Sequence, residues 1–299
     1  MYDSFLDLEE EGGRTIHVWP VPYEGTASFA RGTRLGPEAI LKASYQIETY
    51  DHELGQDLSG RVRFETLPFL RPSAQGPDTV MDEMREVLSG FDPVKDFFLT
   101  LGGEHSIALP LVEFYHRAHS DLVVIQIDAH ADLRAKYEGS PSSHACVMAR
   151  VRDLGVPLVQ IGIRSLCREE AETMARTPAE DLLCLFGWDL PSPDHAARRV
   201  GDFVGQRPVY ISFDADGLDP SIMPGTGTPE PGGIGFSWMQ AFWTRFLPER
   251  TLVGLDFCEL APELGPGVIS ESVAVKCILR ILMTSLAGPI EPGRSESGL

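Results

Sequence analysis

The chain has 299 residues, of which 43% are hydrophobic and 23% charged. That is an ordinary globular composition at a size that large α/β domains reach. Its 44 Asp and Glu against 25 Lys and Arg give a formal charge of −19, which argues against nucleic-acid binding, since that needs basic surface to displace counterions. The same charge favours solubility and draws cationic substrates toward an acidic cleft.

From the N-terminus, the acidic stretch Met1 to Glu11 has no basic segment followed by an apolar one, so no targeting signal is read. Apolar runs predict strands over 15–19, 62–67, 97–101, 122–127, 158–163, 182–186, 209–213 and 252–257. Amphipathic segments between most of them predict helices over 37–47, 79–88, 107–119, 145–154, 194–203, 238–246 and 270–285. The last of these is interrupted by Lys276 and Arg280, so no membrane span is expected. Such alternation predicts an α/β fold, a mostly parallel sheet of about eight strands covered on both faces. No repeat, linker or composition break divides the chain, so one domain over 1–299 is expected, with its core at about 15–285 and a loose Pro/Gly-rich tail over 288–299. The five cysteines, Cys146, Cys167, Cys184, Cys258 and Cys277, are scattered without a C-x-x-C pair. They read as reduced thiols of a cytoplasmic protein.

Three of the strands end in polar clusters. The run over 122–127 leads into Asp128-Ala129-His130-Ala131-Asp132, and the run over 209–213 leads into Asp214-Ala215-Asp216. The run over 97–101 ends in Gly102-Gly103-Glu104-His105. If the backbone stays extended through Asp132, Asp128, His130 and Asp132 project to one side. Carboxylates gathered at apolar strand mouths repel and are poorly solvated unless cations lie between them. His105, Asp128, His130, Asp132, Asp214 and Asp216 are too many donors for one tetrahedral ion and include no thiolate. If Asp128 and Asp214 bridge, the six serve two ions with four bonds each. Mixed carboxylate and imidazole ligation suits two Mn²⁺, with Fe, Co, Ni or Zn also accommodated. A metal pair about 3.5 Å apart is suited to hydrolysis.

Gly102-Gly103-Glu104-His105-Ser106, Asp128-Ala129-His130-Ala131-Asp132 and Ser212-Phe213-Asp214-Ala215-Asp216-Gly217-Leu218-Asp219-Pro220 resemble the three metal-binding signatures of the ureohydrolase family of arginases and agmatinases. Val21-Pro22-Tyr23-Glu24-Gly25-Thr26, Arg34 to Ile40 and Pro224 to Gly233 are similar to stretches of the agmatinase branch. The resemblance covers roughly residues 15 to 285. It implies the arginase-like three-layer α/β/α fold. It assigns His105 and Asp132 to one manganese and His130 and Asp216 to the other, with Asp128 and Asp214 bridging. It also implies the reaction: hydroxide generated there attacks a guanidinium carbon, and urea and an amine leave. Asp132 would orient the hydroxide, His144 would shuttle protons to the leaving amine, and Glu259 would pair with the substrate guanidinium. An imidazole suits the shuttle by its pKa, and a carboxylate suits a bidentate cation. A homotrimer or homohexamer is implied as well.

Each residue also has a plainer reading. His144 could merely open a helix, and Glu259 could solvate a strand end. Asp219 reads as a turn residue before Pro220, and Glu104 as a helix-start residue. The glycine-rich run from Gly225 to Gly235 lacks the lysine of a phosphate loop and reads as a loop bordering the pocket.

The loop Leu133 to Ser143 lacks the asparagine that arginases use to hold the amino-acid end of arginine. The expected substrate is therefore a small cationic guanidine, agmatine, hydrolysed to putrescine and urea in polyamine biosynthesis. Glu138 would then meet the ammonium tail. If Arg134 or Lys136 points inward, 4-guanidinobutyrate would be preferred. Aminopropylagmatine and arginine are further alternatives. Two other classes stay open: a metal-dependent deacetylase and a non-catalytic, metal-stabilised assembly protein.

Overall fold

A computed structural model describes residues 4–6 and 13–286. Its centre is an eight-stranded, wholly parallel sheet. In chain order the strands are β1 (Arg14–Val21), β4 (Val62–Thr66), β5 (Phe97–Gly102), β6 (Val123–Ile127), β7 (Leu158–Ile161), β8 (Leu182–Leu185), β9 (Val209–Asp214) and β10 (Leu252–Cys258). A small antiparallel hairpin, β2 (Tyr50–Asp51) with β3 (Gln56–Asp57), lies outside it. The sheet order is β4-β1-β5-β10-β9-β6-β7-β8. All eight strands of this sheet fall on runs expected from sequence, while the hairpin is too short to leave a periodic signal.

Both faces of the sheet are buried, which is why the strands read as continuous apolar runs rather than alternating ones. Along β6, Val123, Ile125 and Ile127 enter one core and Val124 the other; along β9, Val209, Ile211 and Phe213 part from Tyr210 in the same way. Each such burial contributes roughly 1.5–3 kcal/mol of transfer free energy. One face carries α1 (Gly36–Ser44), α6 (Pro193–Val204), α7 (Phe236–Phe246) and α8 (Ile269–Leu286). The other carries α2 (Pro77–Leu88), α3 (Ala108–His116) and α4 (Val147–Asp153). Three layers result, as expected.

The sequence reading missed α5 (Arg168–Arg176). Its segment REEAETMAR buries only Glu170, so it has no apolar stripe to betray a helix. The α8 helix is not apolar enough to cross a membrane, nor is any other helix among the described residues. The expected loose tail, 288–299, lies outside the described residues.

The sheet order decides where chemistry can occur. β5, β10, β9 and β6 are consecutive neighbours at its middle, although they are remote in sequence. Their carboxyl ends, where parallel sheets open a crevice, therefore bring all the singled-out motifs to one place.

Candidate metal centre

His105 follows β5 on a short 3₁₀ turn, His105–Ile107. Gly103 lets it sit there: a Cβ at 103 would lie 1.9 Å from the Tyr23 carbonyl oxygen, so only glycine allows the exits of β1 and β5 to abut. The loop after β6 carries Asp128, His130 and Asp132. Asp214 ends β9, and Asp216 lies on the following 3₁₀ turn, Ala215–Gly217, where its N–H donates to Asp214 Oδ1 at 2.9 Å.

The expected extended backbone through Asp132 is not what forms. β6 stops at Ile127 and Asp132 has φ 51°, a left-handed conformation costly for a non-glycine residue. Convergence comes from the turned loop rather than from strand alternation. Glu259, one residue beyond β10, has φ 61°.

The donor atoms gather closely. His105 Nδ1 lies 3.1 Å from Asp128 Oδ2, 3.1 Å from Asp132 Oδ2 and 3.4 Å from Asp214 Oδ2. His130 Nδ1 lies 3.0 Å from Asp216 Oδ2 and 3.7 Å from Asp128 Oδ1. Two triads, His105–Asp128–Asp132 and Asp128–His130–Asp216, each place their donor atoms within 4.8 Å of one another and share Asp128.

The acids and rings of this cluster perturb one another strongly. Burial and the charges of Asp216 and Asp128 push Asp214 well above the carboxylate range, and burial with the Asp128 charge lifts Asp132 to about 7. Burial would also raise Asp128, but hydrogen bonds to His105 and His130 outweigh it and hold it low. Burial disfavours charge on His105 and His130, yet the acids prevail: His105 stays well above its ordinary value and His130 rises to about 12. The surrounding acids thus favour positive charge between them. This donor set fits two divalent ions, whose charge would release both rings as neutral ligands.

A second ring of groups aims the first. His105 Nε2 donates to Ser212 Oγ at 2.8 Å, because that hydroxyl is committed to Asp256 Oδ1 at 3.0 Å, so Nδ1 faces the acids. Gln126 Nε2 donates to Asp128 Oδ2 at 2.6 Å and is itself held by Gln160. Thr228 Oγ1 donates to Asp216 Oδ2 at 2.9 Å, as does the Ala129 N–H to Asp216 Oδ1 at 3.0 Å. Arg164 donates to the carbonyls of Gly162, Asp216 and Glu230 at 3.0, 2.6 and 2.8 Å, pinning the loops after β7 and β9 together. None of these was singled out from sequence, although Arg164 follows β7 just past its carboxyl end, where a polar residue is a signal.

A cavity of about 530 Å³ opens above the cluster, lined by His130, Asp132, Asp214, Asp216, His144 and Glu259. Glu259 is 7% exposed, and its carboxylate accepts the His105 N–H through Oε1 at 2.7 Å. Burial and the nearby Glu104 charge raise its pKa well above normal. His144 begins a 3₁₀ turn, His144–Cys146, and burial with the cationic histidines lowers its pKa to about 4.

Arg134 and Tyr137 line the outer wall, together with Phe29, Leu166 and Glu170. Two expectations need correcting here. Glu138 is exposed, in the tight turn Tyr137–Ser140, and Lys136 is exposed as well; neither lines the cavity. Of the charged residues in that loop, Arg134 is the half-buried one that lines the cavity. Glu104, read as a helix-start residue, does precede the turn at His105, but its side chain caps nothing. It turns away to Thr26 and Ser106. Asp219 fixes its turn as expected, accepting N–H bonds from Ser221, Gly232 and Gly233.

The profile of the arginase family matches residues 14–284. An N(1)-aminopropylagmatine ureohydrolase of Synechocystis is 38% identical over 273 residues, covering 89% of this chain and 88% of its own. An agmatinase of Halalkalibacterium halodurans is 30% identical, covering 89% and 90%. The crystal structure of an agmatine ureohydrolase of Thermoplasma volcanium superposes with a TM-score of 0.76 at 28% identity, covering 91% and 90%. That of a proclavaminate amidino hydrolase from Streptomyces clavuligerus gives 0.82 at 25%, covering 95% and 96%.

Proposed function

The chain belongs to the arginase family, and from that premise we propose that it is a ureohydrolase releasing urea from a guanidino amine, agmatine or its N1-aminopropyl derivative. The observation that carries this reading is the pair of His/Asp triads sharing Asp128 beneath an open cavity that Glu259 also lines. Agmatine would give putrescine. The longer substrate is favoured by the higher identity to the aminopropylagmatine relative than to the agmatinase and by a cavity roomy enough for an extended tail.

His105 and Asp132 would hold one divalent ion and His130 and Asp216 the other, with Asp128 and Asp214 shared between them, and the mixed carboxylate and imidazole donors would suit manganese. Bound there, the ions supply Lewis acidity that makes hydroxide available near neutral pH. The protein's own groups do the rest. Glu259 binds the guanidinium through the oxygen not engaged by His105, charge against charge. Asp132 orients the attacking oxygen. His144 moves a proton to the tail nitrogen as the bond from the guanidinium carbon to that nitrogen breaks. Water thus contributes its oxygen to urea and its protons to the products. Phe29 and Leu166 give the aliphatic linker an apolar wall. The enzyme works in the cytoplasm, in polyamine synthesis, as a homotrimer or homohexamer.

Urea release measured side by side on agmatine, N1-aminopropylagmatine, arginine and 4-guanidinobutyrate, with metal content determined on the same sample, tests the proposal. The expected order puts the two amine-tailed guanidines first. Arginine as best substrate, or no urea from any of them at two bound ions, would overturn it.

A further inference from the structure

From the segment between β1 and α1, the Thr26 side chain reaches His144. Its hydroxyl donates to Glu104 Oε1 at 2.6 Å and accepts the backbone N–H of His144 at 3.1 Å. It also lies 3.1 Å from His144 Nδ1. Glu104 is fully buried and accepts from the Thr26 N–H at 2.6 Å and from Ser106 Oγ at 2.7 Å, besides the Thr26 hydroxyl and the Gly25 N–H. Burial raises its pKa, the four donors oppose that rise, and every bond it makes here is one it accepts.

The count then closes on the histidine. A hydroxyl has one proton and two lone pairs. Thr26 spends its proton on Glu104 and one lone pair on the His144 N–H. What it offers Nδ1 is the remaining lone pair, and that is met only if Nδ1 carries hydrogen. Ser143 Oγ is the other polar atom near Nδ1, at the longer distance of 3.3 Å. The Tyr137 ring meets the imidazole edge-on, with centroids 5.9 Å apart, and limits its rotation.

We infer that Thr26 and Glu104 are positioning residues that lock neutral His144 as its Nδ1–H tautomer, so that Nε2 enters each turnover as a proton acceptor. This rests on the ureohydrolase reading for its catalytic meaning, though not for the tautomer itself. On it, His144 first takes a proton through Nε2 as the tetrahedral adduct forms and then returns that proton to the departing amine nitrogen, leaving the ring as it began. The lowered pKa of His144, about 4, agrees with a ring that starts neutral.

The test combines two readouts. Nitrogen NMR on [15N]histidine-labelled, zinc-loaded enzyme, with His144 assigned by comparison with His144→Gln, is expected to show a protonated Nδ1 and an unprotonated Nε2. Thr26→Ser should keep that pattern, whereas Thr26→Val, which removes the acceptor but keeps the shape, should mix the tautomers. Thr26→Val should lower kcat by roughly 10- to 100-fold with KM changed less than about threefold, and Thr26→Ser should restore most of kcat. An Nε2–H tautomer in the wild type, or an unaltered kcat in Thr26→Val, would overturn the inference. If Thr26→Val does not fold, the wild-type spectrum alone decides. Absence of urea from every guanidine alongside the expected tautomer would instead sink the ureohydrolase reading and leave the lock standing.

Discussion

Arg134 holds its guanidinium over the ring of Tyr137, 5.0 Å from the centroid, on the outer wall of the cavity. Its nearest acid is Glu170, 3.9 Å away, and Glu170 is already engaged by the N–H groups of Leu133 and Cys167 at 3.0 and 2.7 Å. The cavity wall therefore presents a cation that no close hydrogen bond from the described residues satisfies. Opposite charges a few ångströms apart at a partly wet surface interact by about 1 kcal/mol. Arg134→Ala should raise kcat/KM for agmatine and aminopropylagmatine by about threefold to tenfold and lower it for 4-guanidinobutyrate. The ratio of specificity constants across these three checks it; a uniform change in all would place Arg134 outside the tail's reach.

Glu259→Gln keeps the side chain's shape and its bond from the His105 N–H, but removes the charge proposed to meet the guanidinium. A charge-assisted hydrogen bond contributes about 1.5–3 kcal/mol, so kcat/KM should fall roughly 10- to 200-fold with metal content unchanged. Steady-state kinetics paired with elemental analysis separates this from loss of an ion.

Removing metal leaves the acid cluster to be neutralised by its own histidines. Exhaustive chelation should abolish urea release and lower Tm by roughly 5–15 °C, since ions that bind only the folded chain stabilise it by mass action. Elemental analysis should read two ions per chain, falling to about one in His130→Ala. Full occupancy in that variant would contradict the ligand assignment.

His144 gives the metal-free protein a dependence on pH whose sign is fixed. Its pKa drops from 6.5 to about 4 on folding, through burial and the charges of His105 and His130, so the unfolded chain binds the proton first. Stability is therefore unaffected by this group above about pH 6.5 and declines as pH falls toward 4, by at most about 3 kcal/mol. Denaturant unfolding across that window should show a shallower acid loss in His144→Gln than in the wild type.

Gly103→Ala would drive a methyl group against the Tyr23 carbonyl. The β1 and β5 exits would have to part, destabilising the chain by about 1–3 kcal/mol or more and moving His105. Reduced expression or Tm, with activity lost in whatever folds, is the expected result.

The sheet and the acid cluster were legible in the sequence for related reasons. Strands buried on both faces, such as Val123–Ile127, leave runs that no solvent face interrupts, and a polar residue just past such a run has few purposes. Helix α5 was invisible because Arg168–Arg176 buries almost nothing. Ser212 and Thr228, although within family-like stretches, and Gln126 and Arg164 were given no role for another reason. Each has meaning only through a partner that the strand order delivers: Ser212 serves His105 across 107 positions of chain. Thr26 had been noticed within a family-like stretch, but its tie to His144 depends on a loop path that spacing does not encode. Glu138 misled because an acid in the right loop was weighed without knowing which way the turn would face.

Asp132 and Glu259 both hold backbone torsions that glycine would adopt with ease. Laboratory evolution for heat resistance, run on chelated protein with no urea to report, would reward glycine at both positions and tougher folds would accumulate. Every such winner would have discarded a carboxylate to which the proposed reaction gives a role. Thermal screens of this enzyme should therefore be coupled to turnover from the first round, since hardiness and competence diverge at these two positions.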